Sequence, residues 1–67
     1  MDYASIAEQI LHAVGGPGNV KSVVHCMTRL RFVLRDNAKI DDEVVKSIKG
    51  VVGVMRQAGQ YQIIIGN

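Results

Sequence analysis

The stretch Val20-Lys21-Ser22-Val23-Val24-His25-Cys26-Met27-Thr28-Arg29-Leu30-Arg31-Phe32-Val33-Leu34-Arg35 decides the fold, because a two-residue period sets in partway along it. Thr28, Leu30, Phe32 and Leu34 alternate with Arg29, Arg31, Val33 and Arg35, as expected of a strand with one buried and one solvated face. The preceding Val20 to His25 segment is β-branched and reads as a second strand, although its alternation is poor. Cys26-Met27 then falls at the connection between the two strands, and Asp36-Asn37 is a turn signal after them.

Working outward, the period on the N-terminal side is helical. Tyr3, Ile6, Ala7, Ile10, Leu11 and Val14 form one apolar stripe, with Glu8, Gln9 and His12 turned away and Asp2 placed as N-cap. Gly15-Gly16-Pro17-Gly18 stops that helix, since glycine suits the left-handed residue past a helix end and proline cannot continue one. On the other side Asp41 is a good N-cap, Asp42 and Glu43 suit a first turn, and Val44, Val45 and Ile48 are expected inward until Gly50 ends the helix. Val51 to Gln57 and Gln60 to Ile65 read as a hairpin turning at Ala58-Gly59. The order α-β-β-α-β-β implies an α+β domain, an antiparallel four-stranded sheet with its helices on one face.

Sixty-seven residues allow one small domain. Of these 48% are hydrophobic and only 4% aromatic, so the core must be built from Val, Ile, Leu and Ala. A net charge of +2 admits an anionic ligand but falls short of the dense basic field of a dedicated nucleic-acid binder. One cysteine excludes an intramolecular disulfide and suits a reducing cytosol. No apolar run approaches the ~20 residues that span a bilayer, so the piece reads as soluble and not itself membrane-spanning.

The chemistry gathers at Cys26. A free cysteine in a small domain is most often an inert core residue. Here it stands at a strand end beside His25, Arg29 and Arg31, the electropositive setting in which thiolate becomes available. Arg29 and Arg31 project from one face about 6.6 Å apart along the strand, and two planar cationic forks at that spacing suit a phosphate. The backbone amides of Met27 and Thr28 are candidates for a small anion nest. Thr28 shares parity with Leu30, so its side chain is expected inward. His25 reads equally as a source of positive potential or as an ordinary exposed residue.

Other schemes fail on counts. A Cys-x5-Arg phosphatase loop needs arginine at 32, where Phe32 stands. His12, His25 and Cys26 are too few soft ligands for zinc, so no metal or cofactor is expected. Gly15 to Gly18 fits the Gly-x-x-Gly clamp of KH-type RNA-binding domains, but a helix stop explains it fully. An RNA-binding module and a non-catalytic docking domain are the rival readings.

The run from Asn19 through Cys26-Met27-Thr28-Arg29-Leu30-Arg31 to Phe32 resembles the phosphorylation-site signature of enzyme IIB domains of bacterial sugar phosphotransferase systems, glucose superfamily. Gly15-Gly16, Gly50-Val51, Gly53-Val54 and Gly59-Gln60-Tyr61-Gln62 through Gly66 agree in register, and the form is most similar to the sucrose, β-glucoside and trehalose branch. The resemblance implies a sheet in order 1-2-4-3 and a phosphoryl relay. In that relay Cys26 is the phosphorylated nucleophile, Arg29 and Arg31 belong to its site, a phosphorylated A (EIIA) domain is the donor, and a sugar held by a membrane C (EIIC) domain is the acceptor. It further implies a place at the cytoplasmic face of the bacterial membrane, as the first domain of a larger permease. The family usually carries a third helix after the last strand, and this sequence stops at Asn67.

Overall fold

A computed structural model describes residues 3–38 and 40–66, for Tyr3 the backbone alone. The N-cap expected at Asp2 lies outside the described residues. Helix α1, Tyr3–Ala13, buries Ile6 and Ile10 against the sheet, and Val14 just past its end continues the same spacing. Ala7 is exposed and Leu11 half-buried, so the stripe is narrower than the sequence implies.

The helix stops in a Schellman arrangement. Gly16 N–H donates to the Leu11 carbonyl (2.9 Å) and Gly15 N–H to that of His12 (3.1 Å), with Gly15 at φ 102°. A Cβ on Gly15 would come within 2.7 Å of Asn19 Nδ2, so glycine is needed here for space as well as for conformation. Pro17–Asn19 then makes a 3-10 turn that the sequence reading did not anticipate. The Gly-x-x-Gly segment is thus spent on ending a helix.

Four antiparallel strands follow: β1 Val20–His25, β2 Arg29–Leu34, β3 Val51–Gln57 and β4 Gln60–Ile65, in the order β1-β2-β4-β3. The β3–β4 hairpin has the expected bounds. Ala58 and Gly59 both take positive φ, the geometry whose twist matches that of paired strands.

Helix α2, Asp42–Lys46, is shorter than expected. Asp41 caps it by accepting from Glu43 N–H at 3.0 Å. At its far end the Ser47 hydroxyl donates to the Val44 carbonyl (2.6 Å), competing with helix continuation before Lys49. The expectation that Val44 and Val45 both face inward is also corrected. Neighbours on a helix point about 100° apart, and Val45 is buried with Ile48 while Val44 is 52% exposed.

The core lies between the two layers. Phe32, Leu34, Tyr61 and Ile63 of the sheet meet Ile6, Ile10 and Val14 of α1, Val45 and Ile48 around α2, and Ile40 from the connection. Two polar devices close the end of the sheet away from Cys26. Asn19 donates from Nδ2 to the carbonyls of Val14 (2.7 Å) and Asp36 (3.0 Å) and accepts from Asp36 N–H (2.9 Å). Arg56 donates to the carbonyls of Asn37 and Ile40 and pairs with Asp42 at 3.0 Å, while the Tyr61 hydroxyl donates to the same carboxylate oxygen. Burial and the adjacent Asp42 raise the Tyr61 phenol well above its ordinary range. The Arg56 hydrogen bond holds the Asp42 carboxyl below its own, although partial burial acts the other way.

Candidate functional site

Cys26 begins the connection between β1 and β2. Its own N–H donates to the Arg29 carbonyl at 2.8 Å, which closes the loop, and the Thr28 carbonyl accepts from Ile65 N–H at 2.8 Å, which ties the loop to β4. The amides of Met27 and Thr28 donate to no acceptor among the described residues. Cys26 is half-buried and carries a free thiol, whereas the Met27 side chain stands 97% exposed at the tip.

Thr28 departs from expectation: its side chain is exposed. Strand β2 starts only at Arg29, so the alternation that points Leu30 inward does not extend back to Thr28. His25 is exposed and pairs with Leu30 across the hairpin. With Met27 and Thr28 it lines a groove of about 470 Å³ against Ile6, Ala7, Ile10, Leu30 and Ile65, and Cys26 is not among the lining residues.

Arg29 and Arg31 lie on the sheet face opposite the core, as alternation requires, but both are half-buried instead of freely solvated. The reason lies on β4. Arg31 pairs with Gln62 across the ladder, and Arg29 Nη1 reaches diagonally to donate to Gln62 Oε1 at 2.9 Å. Gln62 in turn donates from Nε2 to Gln60 Oε1 at 3.1 Å. Arg31 Nε is buried without a hydrogen-bond partner among the described residues. Sequence reasoning missed both glutamines. The available signal was their two-residue spacing on a strand whose alternate residues, Tyr61 and Ile63, are apolar.

None of the four strands carries an aspartate or glutamate, and their charged residues are Lys21, Arg29, Arg31 and Arg56. Among the described residues no three His, Cys, Asp or Glu side chains come together as a metal site, and no helix is long and apolar enough to cross a membrane.

An α+β domain with a half-buried cysteine opening an exposed loop, free amides beside it and two arginines on the adjoining face has the groups needed to hold an anion. The family description "phosphotransferase system, EIIB" matches residues 8–41. The chain is 52% identical over 67 residues to a β-glucoside-specific EIIBCA component of Halalkalibacterium halodurans, and 52% identical over 66 residues to an arbutin-, cellobiose- and salicin-specific EIIBC component of Escherichia coli. These matches cover 100% and 98% of this chain but 10% and 14% of the relatives, so the chain spans a small part of their length. A sucrose-specific EIIBC component of Vibrio alginolyticus is 42% identical over 67 residues. The crystal structure of one domain of a phosphotransferase-system IIabc component from Clostridium difficile superimposes with a TM-score of 0.90 at 40% identity, covering 97% of this chain and 67% of that one. The chain belongs to the EIIB family of the sugar phosphotransferase system. Members of that family are phosphoryl-transfer domains, and nothing in the comparisons supports RNA binding.

Proposed function

We propose that Cys26 is the residue that carries the phosphoryl group. The thiolate sulfur attacks the phosphorus of a phosphohistidine on an EIIA domain, the P–N bond breaks, and the imidazole leaves with its nitrogen free to take a proton. A sugar hydroxyl bound by a membrane EIIC domain then attacks the same phosphorus, the S–P bond breaks, and thiolate is regenerated as the hydroxyl proton is lost. Phosphoryl transfer passes through a loose transition state with charge spread over the equatorial oxygens, so the protein contributes position and positive charge. Arg29 and Arg31 supply that charge, and the amides of Met27 and Thr28 supply uncharged donors.

The observation that carries this reading is the pair of free amides following Cys26, in a loop whose neighbouring strand presents both arginines. The names of the more similar relatives favour a β-glucoside as the sugar, with sucrose second, and the EIIC part of those relatives supports a reaction at the cytoplasmic face of a membrane. The test is intact mass after incubation with a phosphorylated EIIA domain of a β-glucoside system. One phosphoryl group on Cys26 is expected, and phosphate on His12 or His25 instead would overturn the assignment.

A further inference from the structure

Gln62 is the one buried amide or charged side chain among the described residues, at 5% exposure, and it lies on the face that the sequence marks as solvated. It is covered from both sides, by Arg31 opposite it on β2 and Met55 opposite it on β3. Its amide has one orientation. A guanidinium only donates, so the end facing Arg29 must be the oxygen, and the end facing Gln60 must then find an acceptor, which Gln60 Oε1 provides. The result is a polarised file across the open face, from Gln60 through Gln62 to Arg29, in which each hydrogen bond strengthens the next.

We propose that Gln62 is a positioning residue for the phosphoryl site: it holds in one place the guanidinium of Arg29, the first residue of β2 after the Cys26 loop, and Gln60 accepts from the Gln62 amide and so anchors its other end. An arginine side chain otherwise samples many rotamers, and a donor already in place needs no reorganisation when charge develops on the phosphoryl oxygens. A guanidinium has five N–H groups, so one bond to Gln62 leaves the remainder for an anion. Arg31, with no such holder, depends on the bound anion for its order. The proposal rests on Cys26 as the phosphoryl acceptor, but its effect on Arg29 can be read without any transfer.

The test uses Gln62→Met, which keeps length and bulk and removes the acceptor. Transfer from a phosphorylated EIIA domain to Cys26 is expected to slow by roughly tenfold, about the worth of one charge-assisted hydrogen bond. The urea midpoint should stay level or rise, and the Arg29 Nε–Hε resonance should lose its distinct shift. In an Arg29→Gln background the same change should slow transfer no further, because the two residues act as one unit. Wild-type rates in Gln62→Met, or losses that add to those of Arg29→Gln, overturn the proposal. If Gln62→Met lowers the urea midpoint, Gln60→Met decides: a loss of roughly threefold at an unchanged midpoint supports the file, and an unchanged rate overturns it. A wild-type chain that accepts no phosphoryl group overturns the function instead, and the Arg29 resonance then decides the positioning claim alone.

Discussion

The two ends of the sheet are built on opposite principles. At one end Asn19 makes three hydrogen bonds through its side chain, and Arg56, Asp42 and Tyr61 lock the connection from β2 to α2. The side chains of Asn19, Arg56, Asp42 and Tyr61 are all bonded within the protein, while Asn37 Oδ1 is buried without a partner among the described residues. At the other end a single backbone bond closes the Cys26 loop, two amides are left free, and Met27 projects into solvent. A small domain has little stability to spare, and this one concentrates its polar bonding at the end away from Cys26. The donors that a ligand would need stay unspent at the other end.

Substitutions at the two ends should therefore fail in different ways. The largest effect belongs to Cys26→Ser, which is expected to abolish phosphoryl acceptance in mass spectrometry while leaving the urea midpoint near that of the wild type. Next come Arg29→Gln and Arg31→Gln. Each is expected to slow transfer by about 10²-fold, as losing a donor to developing charge does elsewhere, and Arg→Lys should restore only part, because an ammonium cannot form the bidentate fork. Equal rates in wild type and both glutamine variants would erase the distinction between the ends.

Asn19→Ala tests the other end. It orphans partly buried backbone groups and should cost roughly 2 kcal/mol in urea unfolding, with transfer by the folded fraction unchanged. The smallest effect is that of Asp42→Asn. The Asp42 pKa is depressed in the folded state, so its contribution is present above the unfolded value of about 4 and fades as pH falls through the folded one. Its side chain is 40% exposed, which screens the pairing with Arg56 and limits the loss at neutral pH to under about 1 kcal/mol. The wild-type and Asp42→Asn urea midpoints should differ at pH 7 and converge as the pH is taken below 4.

Local signals were legible and cross-strand ones were not. The β3–β4 hairpin could be read to the residue because Ala58-Gly59 and the flanking alternation lie within a short stretch of chain. The helix stop at Gly15 was equally local. By contrast, Gln62 reads as solvated on its own strand, and only its partners on β2 and β3 bury it. The Arg56 clasp joins residues 14 to 19 positions apart, so no window of sequence shows it. The Thr28 error is instructive in another way: alternation was carried one residue past the start of its strand. Cys26, Arg29 and Arg31 could be nominated from the sequence because a thiol and two arginines are neighbours along the chain.

The strand order has a consequence for how the molecule assembles. β1 with β2, and β3 with β4, are hairpins that close over short loops, whereas β2 with β4 is a seam between residues as much as 35 apart, Arg29 and Ile64. Loop-closure entropy makes such non-local pairing the slower event. The bond from Arg29 to Gln62 crosses that seam. The β1–β2 hairpin that carries Cys26 is local, while the contact that holds Arg29 waits for β4. On the proposed reading of Cys26 and Gln62, competence for phosphoryl transfer therefore waits on closure of the β2–β4 seam.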